Sequence, residues 1–109
     1  MTALGPQNTP LHVWLERRTA KGPQALRDRV AQYAAAAVSP GTPLSESLAR
    51  AGSDALKSAL EQPHDRSAAL DLLAADALVT LALLAQADQA PAGLARFAAQ
   101  LVESHRAGS

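Results

Sequence analysis

The segment from residue 65 to about residue 87 constrains the fold more than any other part of the chain. It contains neither proline nor glycine, and leucine and alanine dominate it. Asp65 is a good N-cap residue, so the segment predicts one long helix. At about 100° per residue, its apolar side chains occupy almost the whole circumference. Such a helix needs cover on more than one side, and we therefore expect it at the centre of the fold.

The composition also favours helices. Alanine occurs 26 times and leucine 17 times among 109 residues, and both are strong helix formers. Valine, threonine and aromatic residues, which strands prefer, are sparse. A chain of this length forms one domain. We predict an all-α domain over residues 9–104, with residues 1–8 as a flexible N-terminus and residues 105–109 as a flexible C-terminal tail.

Proline and glycine mark the ends of the other helices. Thr9-Pro10 predicts the start of a short helix that ends near residue 19, and Thr42-Pro43 predicts another start. A helix closed by Ser39-Pro40-Gly41 lies between them, and Pro91 opens the last one. We predict a small antiparallel bundle of four main helices, preceded by the short N-terminal helix and connected by short turns.

The third predicted helix has one face of small residues. Glycine inside a helix costs roughly 1 kcal/mol relative to alanine. The place of Gly52 on this apolar face therefore favours close contact with the fourth helix. The members of the face are Ala51, Gly52, Ala55 and Ala59. On the opposite face, residues of alternating charge predict a solvated surface. They are Glu46, Arg50, Asp54, Lys57 and Glu61.

Asp76 stands out because it lies within the apolar circumference of the fourth helix. A buried carboxylate needs donors or a cation, since burial without them costs several kcal/mol or forces protonation. We predict a buried polar site whose candidate members are Asp76, Thr80, Tyr33 and Trp14. Its role is either structural, fixing the helix register, or functional, as a general acid or base in a small pocket. We expect Asp71 on a strip that faces water, with Ala75, Ala82 and Gln86.

The balanced charge of the chain is unevenly placed. Residues 1–33 carry five basic and two acidic side chains, whereas residues 53–90 carry two basic and six acidic ones. One interpretation is complementarity within the molecule. The other is a basic patch for an acidic partner or nucleic acid, formed by Arg17, Arg18, Lys21, Arg27 and Arg29. Nucleic-acid binding is expected to be weak, because the net charge is zero and only three residues are aromatic.

The strong catalytic and cofactor motifs are missing from the sequence. It has no glycine-rich phosphate loop, no G-x-S-x-G elbow and no H-E-x-x-H pattern. Glu61 and His64 have the E-x-x-H spacing of di-iron bundles, but Pro63 breaks the helix that such ligands require. The lack of cysteine excludes thiolate metal sites and disulfides. We expect neither a metal nor a cofactor, and an enzyme is the less favoured class.

The apolar run from Leu70 to Ala87 is interrupted by Asp71, Asp76 and Gln86. We interpret it as a buried helix of a soluble protein rather than a membrane span. The N-terminal segment lacks the basic and apolar parts of a secretory signal, so we expect a cytoplasmic protein. Eight arginines against two lysines in an alanine-rich chain indicate a GC-rich bacterial genome.

The function that these features favour is association. A compact bundle without catalytic motifs is typical of an interaction or accessory domain, and formation of a homodimer would help to cover the apolar fourth helix. A protein partner is the other form of this hypothesis. The alternative is a small-molecule-binding or hydrolytic domain with a site around Asp76. A further alternative is weak nucleic-acid binding through the basic segment 17–29.

Overall fold

The computed structural model describes residues 11–62, 64–89 and 91–107, and all regular structure within these ranges is helical. The elements are α1 (Leu11–Thr19), α2 (Gln24–Ala37), α3 (Leu44–Glu61), α4 (Arg66–Gln89), a short 3-10 turn (Pro91–Gly93) and α5 (Leu94–Ala107). The all-α class is therefore confirmed, and the helix count agrees with four main helices and a short one. The predicted start at Thr9-Pro10 and the predicted flexible segment 1–8 lie outside the described residues.

Two helix starts show how local chemistry fixes the boundaries. The Ser67 amide donates to Asp65 Oδ1 over 3.0 Å, which confirms Asp65 as the N-cap of α4. At the start of α3, the Pro43 carbonyl accepts hydrogen bonds from the amides of Glu46 and Ser47, both over 3.1 Å. Pro43 is thus the N-cap and the helix begins at Leu44, one residue later than the sequence predicts.

The C-terminal tail begins later than the sequence predicts. Helix α5 continues to Ala107, so residues 105–107 are helical rather than a flexible tail. His105 Nδ1 lies 2.8 Å from the Leu101 carbonyl oxygen, one turn back, and Leu101 is buried. Burial and this side-chain contact hold the last turn. Residues 108 and 109 lie outside the described residues.

Helices α3 and α4 make the most extensive contact of the fold. A Cβ atom added at Gly52 would lie 3.2 Å from Val79 Cγ2 and 3.5 Å from the Ala75 carbonyl oxygen. The predicted close contact of Gly52 with α4 is thus confirmed. Ala51 and Ala55 on the same face of α3 are fully buried. Small residues allow the two backbones to approach, as they do wherever helices pack tightly.

Polar contacts at both ends fix the relative direction of α3 and α4. Near the start of α3, Ser45 Oγ donates to Gln86 Oε1 near the end of α4 over 3.2 Å. Near the end of α3, Ser58 Oγ donates to Asp71 Oδ2 near the start of α4 over 3.0 Å. The two helices therefore run in opposite directions. Helix α4 also contacts α2 and α5.

The exposure of α4 differs from the sequence prediction on two of its sides. The strip expected to face water is largely inside, since Asp71, Ala75 and Ala82 are buried. Leu72 and Leu73, expected inside, have 54% and 57% of their surface exposed. The reason is size, because alanines allow the backbone of α3 to come close and leucines on that side would hold it away.

By length and composition alone, α4 could cross a membrane, and it is the one such helix within the described ranges. The core helix of a soluble domain meets the same criteria. In this fold α4 buries one side against α2 and α3 and leaves its leucine side open.

Candidate functional site

A buried carboxylate at Asp71 joins three helices. Asp71 is only 4% exposed, and it accepts hydrogen bonds from Arg29 Nη1 and Tyr33 Oη of α2 and from Ser58 Oγ of α3. The Tyr33 and Ser58 bonds are both 3.0 Å long. Arg29 also lies 3.3 Å from Ser67 Oγ at the start of α4. We call Asp71, Arg29, Tyr33 and Ser58 the Asp71 cluster.

The cluster controls the ionisation of Asp71. Burial by itself raises the pKa of the Asp71 carboxyl, because it removes the charged form from water. Hydrogen bonds from Arg29, Ser58 and Tyr33, together with the positive charge of Arg29, outweigh burial and hold this pKa below its ordinary value. The carboxylate is therefore ionised near neutral pH, and its hydrogen bonds are charge-assisted. The three donors satisfy the carboxylate, as is typical of a buried carboxylate with a structural role.

The prediction of a buried site around Asp76 is wrong. Asp76 is exposed, and its neighbour in the predicted site, Thr80, donates only to the Asp76 backbone carbonyl, over 3.1 Å. Tyr33 belongs to the Asp71 cluster, and Trp14 is buried on α1 beneath Arg18. The structure therefore does not bring the four predicted residues together. The need for a partnered buried carboxylate holds, but it applies to Asp71 because the alanine side of α4 faces the interior.

The predicted basic segment is largely engaged within the molecule. Arg18 lies 2.6 Å from Asp88 on α4 and 5.3 Å from the centre of the Trp14 ring. Arg29 pairs with Asp71, and Arg27 is half-buried beside Gln24. Of the five basic residues, Arg17 and Lys21 are exposed without a described ion pair. Two ion pairs thus join the basic N-terminal part to the acidic α4, as complementarity within the molecule predicts.

An apolar groove between α4 and α5 is the most unusual surface of the fold. Its volume is about 670 Å³, and we call it the α4–α5 groove. Aliphatic side chains from three helices line most of it, including Leu56, Leu72, Leu73, Val79, Leu101 and Val102. Leu72, Leu73 and Val102 are each more than half exposed. Leucines exposed together on one surface are typical of an interaction site, whereas single exposed ones are ordinary.

Two ionisable residues, Asp76 from α4 and His105 from α5, also line the α4–α5 groove. His105 Nδ1 lies 2.8 Å from the Leu101 carbonyl oxygen, and its Nε2 lies 3.4 Å from Ser53 Oγ. The carbonyl can only accept, so Nδ1 carries a proton and Nε2 faces the serine. This contact fixes the end of α5 on α3. The Asp76 carboxylate accepts no hydrogen bond from any residue that the structure describes.

The other clefts are more polar. One of about 430 Å³ lies between α3, α5 and the α2–α3 turn, and hydroxyl and charged side chains supply much of its lining. A small cavity of about 100 Å³ adjoins Asp71. In the part of the chain that the structure describes, no group of three histidine or acidic side chains is placed to hold a metal ion. The α4–α5 groove is therefore the best candidate functional site.

Sequence reasoning missed this groove, although one signal pointed to it. Gly52 and the alanines beside it on α3 require an equally small surface on the opposing helix, and α4 offers Ala68, Ala75 and Ala82 at seven-residue spacing. Pairing the two small surfaces turns Leu72 and Leu73 outwards.

Comparison of the chain with protein-family models, with curated proteins and with solved structures gave no match.

Proposed function

We propose that the chain is a small, non-catalytic helical interaction domain that self-associates through the α4–α5 groove. The observation that carries this proposal is the half-exposed state of Leu72, Leu73 and Val102 around one groove. Leu60 is 68% exposed and lies one helical turn beyond Leu56, so it extends the apolar surface along α3. A homodimer is the simplest symmetric assembly that covers such a surface.

The energetics suit a reversible dimer. Fully burying a leucine or valine side chain stabilises by about 1.5–3 kcal/mol. Burying the exposed halves of Leu72, Leu73 and Val102 on both copies would therefore contribute roughly 5–9 kcal/mol in total. Association costs an estimated 4–15 kcal/mol in lost freedom of motion. The two ranges overlap, so a permanent dimer is not expected from these side chains alone. A micromolar dissociation constant corresponds to about −8 kcal/mol and requires burial of further apolar surface, such as that of Leu60.

Self-association also accounts for the composition of α4. In the monomer the alanine side of this helix is covered and the leucine side is open. A second copy placed on the α4–α5 groove would cover both sides and make α4 the central helix of an antiparallel bundle. We propose the cytoplasm as the compartment, because the groove would be covered by protein rather than by lipid and the fold requires no disulfide.

Analytical ultracentrifugation from the micromolar to the millimolar range tests the proposal. The parent chain should shift from 11.3 kDa to twice that mass as its concentration rises. Leu73→Glu, which places a charge in the groove, should remain monomeric. Val38→Glu is the matched control, because Val38 is 41% exposed but lies at the end of α2 outside the groove lining. A parent chain that stays monomeric throughout would contradict the proposal.

The second candidate function is binding of a small hydrophobic ligand. The volume of the groove falls within the range of ligand pockets, and such pockets are mostly apolar with a few polar groups such as Asp76. A ligand that occupies the groove would compete with dimer formation. A fluorescent alkylamine that binds to the monomeric parent protein but not to Leu73→Glu would favour this candidate.

Nucleic-acid binding ranks third, because ion pairs engage Arg18 and Arg29.

A further inference from the structure

We propose that Asp76 sets the arrangement of the dimer by facing Arg106, near the end of α5, in the second copy. This inference rests on the proposed self-association through the α4–α5 groove. It names the contact that decides which of the possible apolar pairings forms.

Asp76 lies in the middle of the exposed side of α4. It is one turn after Leu72 and lines the groove with it. Its carboxylate has no hydrogen-bond donor within the described part of its own chain. In the monomer, water solvates this charge, so it carries no penalty there. Once a second surface covers the groove, the same carboxylate loses its water.

The covering surface must therefore bring a cation or hydrogen-bond donors. Apolar cover alone would leave an unpaired buried charge, which opposes association. An aliphatic groove with one unpartnered carboxylate thus selects for a partner that carries a positive group beside apolar side chains. This requirement narrows the chemistry of the occupant.

The opposite wall of the same groove meets the requirement. Arg106 lies on α5, one turn after the groove residue Val102. The Arg106 side chain is 74% exposed, and its one described ion pair is a 4.0 Å contact with Glu103 on the surface. Arg106 is charged at every relevant pH, so it offers a cation at the rim.

Two-fold symmetry brings these groups together. In an isologous dimer each copy uses the same patch, so the α5 wall of one copy can face the α4 wall of the other. Each Asp76 then meets Arg106 of the second copy, and the pair forms twice. A pairing with the two α4 midpoints in contact would place the two Asp76 carboxylates together and is disfavoured by repulsion.

A charge-reversal experiment tests the pairing. Asp76→Arg alone and Arg106→Glu alone should each weaken self-association by about tenfold or more, because each creates two like-charge contacts. In an equimolar mixture, both contacts become attractive again, and a mixed dimer with near-parental affinity should form. Asp54→Arg, an exposed change outside the groove lining, is the control and should leave the parental dissociation constant unchanged.

The outcomes separate this inference from the proposed function. The Asp76 pairing would be refuted if the parent chain dimerises and Leu73→Glu does not, but the charge reversals have no effect. That result would leave the groove as the interface. Tighter association of Asp76→Asn would also refute the pairing, since that result indicates two Asp76 carboxylates facing each other. A parent chain that stays monomeric would refute both the Asp76 pairing and the proposed self-association. Circular dichroism of each variant verifies that the helices are retained.

Discussion

The two sides of α4 are both rich in apolar residues, but one side packs against other helices and the other is exposed. The side with Asp71 is built mainly of alanine and packs against α2 and α3, whereas the side with Asp76 carries Leu72 and Leu73 and remains open. Buried alanines contribute less apolar area than leucines, so the fold does not maximise the burial of large side chains within the monomer. Close approach of the helix backbones decides which side is inside, and Leu72 and Leu73 remain exposed.

The two aspartates of α4 show what this difference means for a charge. They are five residues apart, which places them on different sides of the helix. Asp71 has three side-chain donors and a lowered pKa, whereas the carboxylate of Asp76 has no donor in the described residues. The Asp71 carboxylate fastens α4 to α2 and α3, whereas the Asp76 carboxylate is exposed to solvent.

The largest expected effect is at Asp71. Asp71→Ala should lower the free energy of unfolding by about 3 kcal/mol, because it leaves the half-buried Arg29 without its counter-charge and Tyr33 and Ser58 without their acceptor. Urea unfolding followed by circular dichroism measures the loss. Asp76→Ala, its counterpart on the open side, should change the value by less than about 0.5 kcal/mol at monomeric concentrations. Equal losses in the two variants would show that the two sides do not differ.

A bulky residue at Gly52 should separate α3 from α4. The added side chain of Gly52→Leu would overlap Val79 and the α4 backbone, and we expect a loss of about 2 kcal/mol. Ala69→Leu is the matched control, since Ala69 is exposed on α4, and its effect should be small. The same urea titration compares them. If Gly52→Leu is as stable as the parent chain, close approach is not what selects the alanine side of α4.

Acid should weaken the Asp71 side selectively. The pKa of Asp71 is lower in the folded chain than in the unfolded one, so its contribution is complete above the unfolded pKa of about 3.9. That contribution is lost as the pH falls through the lower folded pKa. The difference in unfolding free energy between the parent chain and Asp71→Asn should therefore shrink on acidification from neutral pH. A difference that stays constant until the chain unfolds in acid would indicate that the ion pair between Arg29 and Asp71 does not stabilise the fold.

The smallest expected effect on stability is at the open leucine side. Leu73→Gln should change the unfolding free energy of the monomer by less than about 0.5 kcal/mol, because Leu73 is 57% exposed. Its thermal unfolding should also lose any dependence on protein concentration that the parent chain shows. Leu78→Gln, at a fully buried position of the same helix, serves as the destabilised reference. A strong destabilisation by Leu73→Gln would place this side of α4 in the monomer core.

The sequence predicts the helices well because their boundaries depend on local chemistry. Asp65 caps α4 through a hydrogen bond two residues away, and the proline and glycine breaks separate the other helices. The contact of Gly52 with α4 could also be predicted, because a helix-interior glycine has a cost that close packing explains. These features need only a few neighbouring residues.

The candidate site depends on partners that are distant in the chain. Arg29 and Tyr33 are 42 and 38 residues from Asp71, so no local pattern marks Asp71 as the buried carboxylate. The pattern of apolar residues around α4 does not distinguish alanine from leucine, so it does not predict which side of the helix is open. The α4–α5 groove further requires the position of α5, which long-range packing determines.

The short link between α3 and α4 has a kinetic consequence. Residues 62–65 join the two helices, so their interface consists of contacts between parts of the chain that are close in sequence. Such local contacts form rapidly, and we expect this helical hairpin to assemble before α5 docks. During that interval the leucines of α4 have no neighbour from α5, and they can capture any apolar surface nearby. On the ribosome, where α5 emerges after α4, the rate of translation thus determines how long nascent chains are open to mispairing.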